Sequence, residues 1–144
     1  MARVKIELPA SFRFSTQIPI RITDINYGGH VGNDTILSII HEARMQFFTH
    51  FGYTEMNLAG AGMIMADAAI EFKGEVFYGD VITASVTAAN FTRIGFDLFY
   101  KLEIIRTDNK TALAALVKTG MICYDYQQKK IISVPEEVKE KLLG

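Results

Sequence analysis

The chain has 144 residues, 49% of them apolar, and 15 basic residues against 16 acidic ones leave a net charge of −1. That length fits one domain spanning residues 1–144. The apolar fraction is far above that of disordered chains, and nothing in the charge balance points to a nucleic-acid surface, although it leaves room for a local basic pocket. The lone Cys123 rules out an internal disulfide, and neither a signal-peptide pattern nor a membrane-length apolar run follows Met1, so a soluble, cytoplasmic protein is expected.

In chain order, Ser11 to Ile22 ends in Ile18-Pro19-Ile20-Arg21-Ile22, an apolar alternation that predicts a strand. Pro19 cannot donate a ladder hydrogen bond, which places that strand at a sheet edge or beside a bulge. Thr23 to Asp34 carries Gly28, Gly29 and Gly32 among Asx and His side chains, and reads as a loop. Asn33 or Asp34 is positioned to cap a helix that runs to about Phe51 and stops at Gly52. On the helical wheel Ile36, Leu37, Ile39, Ile40, Ala43, Phe47, Phe48 and Phe51 cover about half the circumference, wider than the usual stripe of ~100°. So wide an apolar face requires a sheet that wraps the helix.

Four further strands are predicted over 62–73, 80–92, 95–107 and 111–124, all rich in β-branched and aromatic residues. In the third, Phe96, Leu98, Tyr100, Leu102 and Ile104 share one parity, with Asp97, Lys101 and Glu103 on the other. Short turns at Thr92–Gly95 and Asp108–Lys110 make the last three strands sequential antiparallel neighbours. Pro135 opens a terminal helix with acids early and lysines late, as the helix dipole prefers. These elements define an α+β domain, an antiparallel sheet of five to six strands around one long helix.

Asp24-Ile25-Asn26, Gly29-His30-Val31-Gly32-Asn33 and His41-Glu42-Ala43-Arg44 together resemble the signature of hotdog-fold acyl-CoA thioesterases of the 4-hydroxybenzoyl-CoA thioesterase type. Those enzymes show Asp-x-Asp, then Gly-His-Val-x-Asn, then a helix bearing Glu-x-Ala-Arg. Gly79-Asp80 is similar to their entry into a later strand. The resemblance implies a hotdog fold, hydrolysis of a fatty or aromatic acyl-CoA, and a homodimer or dimer of dimers with substrate at the subunit interface. No cofactor beyond the CoA of the substrate is implied. The Asn33 backbone N–H would meet the thioester carbonyl, where a helix N-terminus stabilises an oxyanion.

One departure bears on mechanism. The second Asp of the signature is Asn26 here, and an amide is neither base nor nucleophile at neutral pH. Other hotdog thioesterases with Asn or Gln there take a carboxylate from the helix about fifteen residues on, which falls on His41 and Glu42. The resemblance therefore implies Asn26 to place water and His41 or Glu42 to accept its proton, with Asp24 and Asp67 in reserve.

Each residue also has a bland reading. Asn26 would close an Asx turn, His30 would lock the loop, and Glu42 would be a solvated helix acid. Arg44 lies inside the apolar arc, either snorkelling or paired with a buried acid such as Asp24. Arg93 would be an exposed turn arginine or a contact for a CoA phosphate, with His30 and Gly32 as the other substrate-binding candidates. Three histidines and one cysteine show no metal-binding spacing. Two other functions stay open: a non-catalytic acyl-CoA-binding protein, and an enoyl-CoA hydratase. The hydratase motif Asp-x-Asn-Pro-x-His is similar to Asp24–His30, although the proline is absent and one residue is inserted.

Overall fold

The computed structural model describes residues 2–106 and 108–143. Strand β1 (Phe14–Pro19) and a 3-10 turn (Ile22–Asp24) lead into the long helix α1 (Asn33–His50). Four long strands follow, β2 (Gly62–Phe72), β3 (Val81–Ala89), β4 (Gly95–Ile105) and β5 (Thr111–Asp125). The chain ends in a two-residue strand β6 (Lys130–Ile131) and helix α2 (Glu136–Leu143). Thr107, assigned by the sequence to the end of β4, lies outside the described residues.

The sheet is antiparallel, in the order β1-β3-β4-β5-β2, with β6 beside the end of β5. Pro19 lies on the edge strand β1, as its missing N–H demands. The alternation in β4 is realised: Phe96, Leu98, Tyr100, Leu102 and Ile104 are all 3% exposed or less. Their inward face meets Ile40, Ala43, Phe47 and Phe48 of α1, each fully buried, and together they form one core. At Gly95 the two backbones approach closely, since a Cβ there would sit 2.1 Å from the carbonyl oxygen of Met121.

α1 departs from its predicted start and face at three points. It starts one residue early, with Gly32 as its N-cap, so neither Asn33 nor Asp34 caps it and no side chain does. Gly32 is extended, and its carbonyl accepts the Thr35 N–H at 3.0 Å. Leu37 is 41% exposed and Phe51 only half-buried, so the wrapped arc is narrower than the wheel suggested. The C-terminus behaves as expected. Gly52 takes φ +86, with Tyr53 N donating to Phe48 O at 2.8 Å and Gly52 N to Thr49 O at 3.0 Å, a Schellman closure. Among the described residues no helix is long and apolar enough to cross a membrane.

Candidate active site

The loop before α1 is built on its own hydrogen bonds. Asp24 is buried, and its Oδ2 accepts the Arg21 N–H at 2.8 Å while its Oδ1 lies 3.3 Å from the Arg21 guanidinium. Both oxygens close the 3-10 turn, a structural role. Asn26 N donates to His30 O at 2.9 Å, and Asn26 Oδ1 accepts the Gly28 N–H at 2.8 Å, so the Asx turn is real. That bond uses the amide oxygen and leaves the amide nitrogen as a donor. Nδ2 lies 3.6 Å from where a Cβ on Gly32 would be, beside the first turn of α1. His30 Nδ1 is 3.0 Å from Val31 O, and Val31 N donates to Val76 O at 2.8 Å, which ties the loop to the segment before β3.

The helix start faces a cavity of about 360 Å³ lined by His30, Asn33, Ile36, Phe72 and Val76 among others. With no side chain capping α1 among the described residues, the N–H groups of Asn33 and Asp34 and the positive end of the dipole can meet a carbonyl or an anion, while the Thr35 N–H is taken by Gly32 O. Gly32 is buried here, and a Cβ on it would fall 2.5 Å from Asp34 Oδ1.

His41 and Glu42 open on a second cleft, of about 420 Å³, between β1 and α1, which Asp24, Ser38, Met45 and Gln46 also line. Glu42 Oε2 accepts Gln46 Nε2 at 2.7 Å, and Gln46 Oε1 accepts Thr16 Oγ1 at 2.5 Å, a chain that fastens the helix to β1. His41 is exposed, with Nε2 3.6 Å from Glu55 Oε2. Along α1, His41 is eight residues beyond Asn33, a rise of about 12 Å. The helix-start donors and the helix bases of one chain therefore do not reach the same atom.

Arg44 has a partner that the sequence did not indicate. Its guanidinium pairs with Glu55, not Asp24, and Nη1 donates to Tyr100 Oη at 3.3 Å. Tyr100 Oη is 2.8 Å from Thr119 Oγ1, and Tyr100 and Thr119 are fully buried. Burial works to lower the Arg44 pKa, but Tyr100 and Glu55 more than offset it and the group is held above its usual range; burial pushes the Tyr100 phenol up. The only sequence signal for this network was an arginine on an apolar arc. Tyr100→Phe leaves the Thr119 hydroxyl and one Arg44 donor short of a partner. It is expected to cost about 1–3 kcal/mol in a denaturant titration at fixed protein concentration.

The remaining candidates lie elsewhere. Asp67 sits at a bulge in β2, bound to Lys118 Nζ at 2.8 Å and to the Gly120 N–H at 3.0 Å. The Lys118 hydrogen bond holds its carboxyl below the usual range, which makes it a poor base. Arg93 donates to Ser133 Oγ at 3.3 Å beyond the far end of β3, whose start adjoins the loop. Within one chain it does not meet the loop. Burial pushes the Cys123 thiol up to about 11, so it is no nucleophile.

The wrapped helix and the strand order define a hotdog fold, with the uncapped helix start beside an Asx loop as its candidate site. The chain belongs to the thioesterase-like superfamily, whose profile matches residues 20–142. It is similar to 4-hydroxybenzoyl-CoA thioesterase from Pseudomonas sp. strain CBS-3, with a TM-score of 0.81, 17% identity, and coverage of 91% of this chain and 99% of that one. A Thermus thermophilus thioesterase complexed with coenzyme A and zinc gives a TM-score of 0.77 at 17% identity, covering 93% and 100% of the two chains. In sequence, a protein of Aquifex aeolicus (strain VF5) named "Putative esterase" is 28% identical over 118 residues, 79% of this chain and 85% of that one.

Proposed function

We propose that the protein hydrolyses a fatty or aromatic acyl-CoA to the free acid and CoA, in a site completed by a second copy of the chain. The observation that carries this reading is the uncapped start of α1, where the Asn26 amide nitrogen lies beside Gly32, the residue before Asn33. Two donors at that place suit the oxyanion that forms as water adds to a thioester carbonyl. Water needs a base, and the helix bases of the same chain are a rise of about 12 Å away. A neighbouring copy supplies one in this reading. The free outer edge of β2 and the exposed Leu37 and Met65 are consistent with such a contact.

The base takes the proton of water as its oxygen bonds to the carbonyl carbon, and the carbon–sulfur bond then breaks to release CoA thiolate. The solved thioesterase bound to coenzyme A is consistent with a CoA ligand. The hydratase reading loses support, because both oxygens of Asp24, the acid of that motif, are held by Arg21.

The test is a panel of short-chain, long-chain and aromatic acyl-CoAs with free thiol release as the signal. Hydrolysis of at least one member is expected, with kcat about 100-fold lower in Asn26→Ala. Binding without release from any member would favour an acyl-CoA carrier instead.

A further inference from the structure

Arg44 is the odd residue of α1, a guanidinium 6% exposed on a face otherwise made of Ile, Ala and Phe. A buried charge destabilises a fold unless it is paired and hydrogen-bonded. Here the pairing has geometry that reaches beyond stability. Arg44 Nε holds Glu55 Oε1, and the guanidinium is rooted in the sheet through Tyr100 and Thr119. Glu55 is thereby fixed, and its second oxygen, Oε2, stands 3.6 Å from His41 Nε2. His41 and Arg44 are three apart on the helix, neighbours on one side of it, so a single carboxylate spans both. Glu42 is tied instead to the edge strand, its carboxylate accepting Gln46 Nε2 while Gln46 Oε1 accepts Thr16 Oγ1 of β1.

We infer that Glu55 is a positioning residue for His41, holding the imidazole in the tautomer that carries hydrogen on Nε2. Nδ1 is then bare and accepts the proton of the attacking water. The assignment rests on the hydrolytic reading and selects His41 over Glu42 as its base. At 3.6 Å the contact is too long for a hydrogen bond, and the assignment requires it to close to hydrogen-bond distance when substrate is bound. Once Nδ1 takes the proton, the imidazolium lies against the Glu55 carboxylate, which stabilises it. The departing CoA sulfur then recovers that proton, leaving acid, thiol and neutral imidazole.

Glu55→Gln tests this with little change of volume. The amide has one oxygen, and the charged Arg44 takes it. The NH2 group then faces His41 Nε2, which has to accept, and the hydrogen moves to Nδ1. The tautomer is read from the ¹⁵N shifts of the His41 ring at a pH where it is neutral, with signals assigned by replacing each histidine in turn. The expected result is Nε2–H in the wild type and Nδ1–H in Glu55→Gln. With it, kcat for thiol release falls at least about tenfold and KM stays within about twofold. Wild-type His41 found as Nδ1–H overturns the inference without any variant. An unchanged tautomer in folded Glu55→Gln overturns it as well. A flipped tautomer with unchanged kcat removes Glu55 from catalysis and leaves the thioesterase reading intact. A wild type that hydrolyses no acyl-CoA but shows the flip overturns the hydrolytic reading and the role of His41 as base; only the tautomer lock survives.

Discussion

A mixed dimer carrying Asn26→Ala in one chain and His41→Gln in the other retains about half of the wild-type kcat, while each homodimeric variant retains about 1% or less. The arithmetic follows from the helix. Asn26 lies beside the first turn of α1, and His41 is two turns further along the same helix. If each site joins the loop of one chain to the helix face of the other, the mixed dimer has one site with both lesions and one with neither. Chains bearing different tags, coexpressed and purified through both, give that species cleanly. Activity near 1% in the mixed dimer would mean that the two groups act within one chain, which the spacing along α1 opposes. The same preparation checks the oligomer, because a monomer carries only one tag.

Phe47→Ala lowers the unfolding free energy by about 3–5 kcal/mol. Phe47 is fully buried, and its ring centroid lies 6.0 Å from Phe14, 5.7 Å from Phe48 and 5.0 Å from Phe51, all near edge-to-face. Removing it takes away the ring's transfer free energy and leaves a cavity that the close-packed core around it cannot collapse to fill. Part of the loss is the aromatic pairing itself, about 0.5–1.5 kcal/mol per pair beyond area. The check is the guanidinium midpoint at fixed protein concentration, with the slope unchanged. Thr49→Ala on the exposed side of the same helix is the control, expected within about 0.5 kcal/mol of wild type. A small loss in Phe47→Ala would mean that the sheet does not close on the helix as described.

The elements and most of the core were legible in the chain alone. The period-two pattern of β4, the buried core of the α1 arc from Ile36 to Phe48, Pro19 on an edge and Gly52 at a helix stop are local signals. Each reports a steric or solvation rule that acts within a few residues, and each was legible for that reason. The Asx loop was also legible, because Asn26 bonds a backbone group two residues on. Arg44 showed only as an anomaly on the wheel.

Packing across the fold set the rest. It brought β1 beside β3 and β2 beside β5, pairings between segments far apart in the chain. It moved the helix cap to Gly32, since backbone geometry rather than a side chain starts α1. It gave Arg44 to Glu55 and Tyr100 instead of Asp24, because both oxygens of Asp24 were already held by Arg21. It put Asp67 under Lys118 and Arg93 at the far end of the sheet. Spacing along a chain fixes which residues share a helix face or a strand parity. Which buried charge meets which counter-charge depends on distances across the fold, and only packing sets those.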